Sequence, residues 1–139
     1  MGTLSFLSRL RGLPPLFLRI SIGLAFFAFH GLGKVRPEGV WDWGSAFAAK
    51  DMAPTALLYL AAWTEFMGGF ALLLGLFTRW AALGIACVMA YAAFVVNRGD
   101  PYLVRELAIA YLGGCLALAC IGPGSVSLDR LFFGKNVLG

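Results

Sequence analysis

The chain has 139 residues, of which 60% are hydrophobic and only 13% charged, with a mean hydropathy of +0.84. A soluble domain carries roughly 25% charged residues, so this composition excludes a water-covered globule and places the protein in a lipid bilayer. The net charge of +4 comes from 11 basic residues scattered over helix ends and loops; without a basic stripe it excludes nucleic acid and fits contact with anionic headgroups.

The N-terminal stretch "TLSFLSRLR" is short, amphipathic and basic, and suits the membrane surface. The first long apolar segment spans about residues 15–33 and opens at Pro14 and Pro15, positions where proline is tolerated in a helix. It holds Arg19 and is longer than the apolar region of a signal peptide, so it reads as a retained first helix. The connection that follows, residues 34–53, is the longest in the chain. Its Trp41, Trp43 and Phe47 suit the headgroup region, and residues 44–50 are expected to form a short interfacial helix.

Three further segments follow at about 54–77, 80–97 and 102–121. Each reaches the ~20 residues needed to span a bilayer. The second and third are joined only by a tight turn around Thr78-Arg79, which makes them antiparallel neighbours. The fourth lies between Pro101 and Gly122-Pro123-Gly124, a helix stop, after which Ser127 or Asp129 starts a short terminal helix. The expectation is an all-α fold, an integral membrane four-helix bundle forming a single domain over residues 1–139. Four spans put both termini on one side. Arg9, Arg11, Arg19, Arg79, Arg130 and Lys135 fall on that side, against Lys34, Arg36, Lys50, Arg98 and Arg105 on the other; the excess assigns the termini to the cytoplasm.

The polar residues inside these spans are the informative ones, because an ionisable group in hydrocarbon costs a few kcal/mol or more. Arg19, Gly23, Phe26, Phe27 and His30 share one face of the first helix, with Arg19 and His30 about 16 Å apart along its axis. Glu65 shares a stripe with Ala61, Gly68 and Gly69, and Glu106 with Ala110, Gly113, Gly114 and Ala117. The third helix offers Ala82, Ala86 and Ala90. Small residues let helix backbones approach closely, so both glutamates are expected to face protein.

Depth then gathers His30, Glu65 and Glu106 in one half of the bundle, with Lys34 and Arg105 at its rim; these five are the candidate ligand-binding residues. His30 or Lys34 is the expected partner of Glu65. Arg19, Arg79 and Asp129 are candidate charge pairs at the opposite end. Glu65 is open to two readings: a hydrogen-bonding glue between helices, or a group that exchanges a proton or holds a ligand.

Cys87, Cys115 and Cys120 lie in apolar runs without a C-x-x-C and read as small packing residues. A single histidine cannot supply a bis-histidine haem site within one chain, no His/Cys/Asp cluster has metal-ligand spacing, and no phosphate-binding glycine loop is present. No metal and no certain cofactor is expected.

Four stretches taken together, "LRISIGLAFFAFHGLGK", "WTEFMGGFALLLGLFTRWAAL", "RELAIAYLGG" and "GPGSVSLDRLF", resemble the DoxX family of small bacterial membrane proteins with four transmembrane helices. The positions that fit the family pattern include Arg19, His30, Lys34, Glu65, Thr78, Arg79, Glu106 and Asp129. The resemblance implies a multi-pass protein of the bacterial inner membrane associated with redox processes. Its relatives include small subunits of a thiosulfate:quinone oxidoreductase and partners of soluble redox or sulfur-transfer proteins. It supplies no catalytic residue set.

The leading expectation is an accessory membrane subunit or anchor of a redox system, with a quinone as the candidate ligand near His30, Glu65 and Glu106 and with Phe26, Phe27, Trp63 and Phe66 as apolar walls. Partners are the bilayer, a redox protein or a second copy of the chain. The alternatives are a small-molecule or lipid binding or transport module without electron transfer, and a purely structural bundle.

Overall fold

The structure is a computed structural model that describes residues 12–35 and 55–134. The interfacial helix expected at 44–50, the basic N-terminal stretch, the headgroup aromatics Trp41, Trp43 and Phe47, and the charges of Arg9, Arg11, Arg36, Lys50 and Lys135 lie outside these residues. Among the described residues there are four long apolar helices, α1 Leu13–Val35, α2 Thr55–Leu74, α3 Thr78–Val96 and α4 Tyr102–Ile121, followed by the short α5 Leu128–Phe133. The four-helix membrane bundle expected from composition is present.

Local chemistry sets most of the boundaries. Pro14 and Pro15 occupy the first turn of α1, where their missing N–H groups are no loss. Ser127 caps α5, its Oγ accepting the N–H of Arg130 at 3.3 Å. The turn between α2 and α3 lies earlier than expected: Gly75 and Phe77 take positive φ values of 69° and 47°. Thr78 and Arg79 are the first residues of α3 rather than the turn itself.

Two segments depart from α geometry. Ala25–Gly31 of α1 and Ala92–Val96 of α3 are π-helical, a wider turn with i→i+5 hydrogen bonds that occurs frequently at functional sites. No proline or glycine pair announces either one in the sequence.

The helices form a ring in which α1 packs on α2 and α4, and α3 on α2 and α4, the up-down-up-down arrangement of antiparallel bundles. The α1–α2 seam is the tightest. Along it Gly23 faces Gly69 and Leu73, Gly31 faces Phe66, and Lys34 meets Glu65, so the two helices run antiparallel. Phe26, Leu72, Ile85, Cys115 and Leu118 fill the interior, while Phe17, Phe29, Trp80 and Leu103 point outward into lipid.

A methyl group on Gly31 would sit 2.5 Å from Phe66 Cα and 2.6 Å from the Phe26 carbonyl oxygen. Both obstacles are backbone, so neither can rotate away. Gly31→Ala should therefore destabilise the bundle by about 1–3 kcal/mol, the usual cost of overpacking, in reversible unfolding from detergent micelles. Gly33, where an added methyl meets nothing within 4 Å, is the control: Gly33→Ala should be neutral or slightly stabilising.

One expected face is wrong. Glu106, Ala110, Gly113 and Ala117 lie on the outer surface of α4; of the expected stripe only Gly114 faces a neighbouring helix, at Ile22 of α1. The buried side of that helix is Cys115 and Leu118, with Ala108, Tyr111 and Ala119 packed beside them. Small residues are tolerated against lipid as well as against a helix, so their spacing alone does not identify the seam.

Candidate functional site

In the half of the bundle nearer the 97–101 turn the four helices part around a cavity of about 560 Å³. This is within the 300–1,000 Å³ usual for small-molecule sites. α1 contributes His30 and Lys34, α2 contributes Leu58, Thr64 and Glu65, α3 contributes Met89 and Val96, and α4 contributes Leu107 and Tyr111. Leu57, Leu60, Tyr91, Val104 and Leu107 also line it and are exposed, so the space is open to the bilayer.

The charged core of the site is the contact between Lys34 Nζ and Glu65 Oε2 at 2.5 Å, in which the ammonium donates to the carboxylate. The two side chains differ in depth: 16% of Lys34 is exposed but only 2% of Glu65. Glu65 is deep because Gly68 and Gly69, the next turn of α2, are buried against α3 and α1. The helix cannot rotate its carboxylate toward lipid without breaking those seams. Lys34 stands one turn beyond His30, an i, i+4 pair on the same face of α1. The π segment Ala25–Gly31 ends immediately after His30.

The imidazole of His30 packs beside two aromatic rings that also touch each other. Its centroid is 5.3 Å from Phe26 and 6.0 Å from Tyr111, the latter edge-on, and Phe26 meets Tyr111 edge-on at 4.9 Å. A histidine in an aromatic cluster, an ion pair and a tyrosine thus border one apolar space. That combination can hydrogen-bond the polar end of a hydrophobic molecule and move a proton to or from it.

Of the five candidate ligand residues, the structure brings His30, Lys34 and Glu65 together. Glu106 is exposed on the outside of α4, and neither it nor Arg105 lines the cavity. The expected aromatic wall is also displaced. Phe27 stacks on Phe66 at 5.1 Å, and Trp63 meets Phe66 edge-on at 6.0 Å; these rings pack outside the cavity lining. Aliphatic side chains form the actual walls. Tyr111, Thr64 and Met89 escaped the sequence reading. The signal for Tyr111 was present, as a hydroxyl-bearing aromatic inside a span, but the small-residue stripe directed attention to the opposite face of α4.

At the other end of the bundle Arg19, Arg79 and Asp129 lie in one region, but among the described residues the expected charge pairs do not form within 4 Å; Arg19 and Asp129 bond backbone groups instead. Arg19 Nη1 and Nη2 donate to the carbonyls of Pro123 and Val126, both at 2.7 Å. Asp129 accepts the Phe77 and Thr78 N–H groups at 2.6 and 2.9 Å, and its own N–H donates to the Gly75 carbonyl at 2.8 Å. Arg79 lies against Gly122, whose absent side chain would stand 3.2 Å from Nη2. This is a clasp that ties α5 and the segment before it to α1 and to the α2–α3 turn.

Comparison with known proteins places the chain among relatives by sequence. The model of the DoxX family matches residues 15–98, a span that contains the α1, α2 and α3 walls of the cavity and ends before α4. A similar chain is an uncharacterized protein of Haemophilus influenzae, 34% identical over 126 residues, which cover 86% of this chain and 90% of the relative. Another is the inner membrane protein YqjF of Escherichia coli, 38% identical over 82 residues, 56% of this chain and 63% of YqjF. The present chain therefore aligns to less than two thirds of that relative. No solved structure matches.

Proposed function

The chain belongs to the DoxX family, and from that premise we propose that it is an accessory inner-membrane subunit of a redox system whose cavity takes up a quinone-class molecule. The observation that carries this reading is the Lys34–Glu65 ion pair set into the wall of a cavity that is otherwise almost wholly apolar. A quinone has an apolar ring and tail and two carbonyl oxygens that accept hydrogen bonds. Lys34 Nζ and the His30 imidazole on α1 and the Tyr111 hydroxyl on α4 are donors of the right kind in the cavity lining. Reduction of the quinone takes two electrons, which a partner redox protein supplies, and two protons, for which His30 and the Lys34–Glu65 pair form a route toward the aqueous edge. In this reading both termini lie in the cytoplasm and the cavity occupies the outer half of the membrane.

The test is quinone binding by the purified full-length chain. A short-chain quinone analogue should raise the melting temperature of the wild-type protein, as any ligand of the folded state does. Glu65→Gln should fold with nearly unchanged stability, since the amide still accepts a hydrogen bond. It no longer holds the Lys34 ammonium at the cavity wall by charge, so quinone affinity should fall about tenfold or more, the scale of one charge-assisted hydrogen bond. Unchanged affinity in Glu65→Gln ends the active role of this residue. A wild-type protein that ignores quinones but binds a lipid or another metabolite replaces the redox reading with a transport or binding module.

A further inference from the structure

We propose that the protein carries a second site, a cleft beside the clasp that seats the phosphate of an anionic membrane phospholipid. The cleft measures about 690 Å³ and lies between the early part of α1, the end of α2 and the Ser125–Leu131 segment. Arg19 and Arg130 supply its charge, Ser125 a hydroxyl, and Leu73, Leu74 and Leu131 an apolar flank.

The independent observation is the state of Arg19. It is 2% exposed, and its Nε is buried without a hydrogen-bond partner. Among the described residues no carboxylate stands within 4 Å of its guanidinium. Asp129 at the same end spends both oxygens on the Phe77 and Thr78 amides. Asp129 acts on Arg19 only through space and the direct bonds of the guanidinium go to neutral carbonyls, so a second anion nearby would offset more of the cost of burying the charge.

The depth of Arg19 fits a lipid headgroup. It lies six residues into α1, about 9 Å from the helix start, near the edge of the hydrocarbon where phosphates reside. The same chemistry would attract free inorganic phosphate, but the leucine flank has no role for such an ion, and Leu74 and Leu131 are exposed along it. A phosphodiester with acyl chains uses both parts of the cleft: the exposed Arg130 meets the phosphate with the buried Arg19 charge behind it, and the leucines meet the chains. Basic pockets between transmembrane helices are a recurrent form of anionic-lipid site.

The full-length protein in neutral detergent, titrated separately with phosphatidylglycerol, phosphatidylcholine and sodium phosphate, tests this. Phosphatidylglycerol should raise the melting temperature and phosphatidylcholine should not. Arg130→Gln removes an exposed cation, so its folding is not in question. It should weaken phosphatidylglycerol about fivefold, the effect of one basic residue near an anionic headgroup. Arg98→Gln, which removes an exposed cation at the opposite end of the bundle, should change nothing. An equal response to both lipids, or equal losses in the two variants, overturns the site. Displacement of phosphatidylglycerol by sodium phosphate at equal concentration assigns the cleft to a free anion and overturns the lipid.

Discussion

Replacing Lys34 with methionine should cost the folded bundle about 3–5 kcal/mol, the range for stranding one charge of a buried pair. The direction of the asymmetry is set by depth. Without Lys34, the Glu65 carboxylate, only 2% exposed in the intact pair, loses the cation that offsets its desolvation. Without Glu65, the longer and shallower Lys34 can extend its ammonium to the aqueous edge, as lysines near helix ends do. Lys34→Met should therefore be far more damaging than Glu65→Gln, a contrast readable in denaturant midpoints of the two variants. The double replacement Lys34→Met with Glu65→Met is the decisive arm. Buried ion pairs exchanged for apolar residues of similar volume are often neutral or stabilising, so the double variant should recover most of the lost stability while remaining unable to bind a quinone. A double variant as unstable as Lys34→Met would mean that the pair holds the fold and is not kept for a ligand.

How far the sequence reveals this arrangement differs from residue to residue. Glu65 was legible because a carboxylate and the adjacent Gly68-Gly69 place the same demand on α2: both need protein rather than lipid beside them. Glu106 looked alike and was not. Ala110, Gly113 and Ala117 cost little against lipid or helix, and the true inner face of α4, with Tyr111, Cys115 and Leu118, is no more apolar than the outer one. Inside a membrane, hydrophobicity gives no contrast between core and surface, and a charged group marks a face only where, as at Glu65, a close backbone contact beside it makes the same demand.

The cavity itself was illegible for a related reason. The stretch "AFFAFHG" contains nothing that forbids an α-helix, yet it is wound as a π segment, and its last residue, Gly31, seats closely against Phe66 across the seam. His30 and Lys34 could be assigned to one end of α1 by counting residues. The rings of Phe27 and Phe66 could not be assigned, because consecutive aromatics at 26 and 27 differ only in which neighbour they meet: Phe26 turns to Tyr111, and Phe27 to Phe66 and Phe70.

At the far end of the bundle Asp129→Ala should be severely destabilising, by at least about 3 kcal/mol, since each hydrogen bond to a charged group contributes about 1.5–3 kcal/mol. Both carboxylate oxygens are in use, and the residue is only 2% exposed. The carboxylate also stands at the N-terminus of α3, where the helix dipole favours a negative charge. There it holds Phe77 in a left-handed conformation with φ at 47°, which a bulky residue adopts at a cost of about 1–2 kcal/mol. With Asp129 gone, the Phe77 and Thr78 amides lose their acceptor and the strained turn loses its clasp. Asp129→Asn keeps one acceptor oxygen and should cost roughly half as much. Adding Phe77→Gly to Asp129→Ala should return about 1 kcal/mol, because glycine adopts this conformation freely. Hydrogen exchange gives the local view: amides at 75–79 and 128–133 should open first in Asp129→Asn, while quinone affinity at the opposite end stays at the wild-type value. Wild-type unfolding of Asp129→Ala would show that α5 merely rests on the bundle, and that the turn before α3 holds its shape without it.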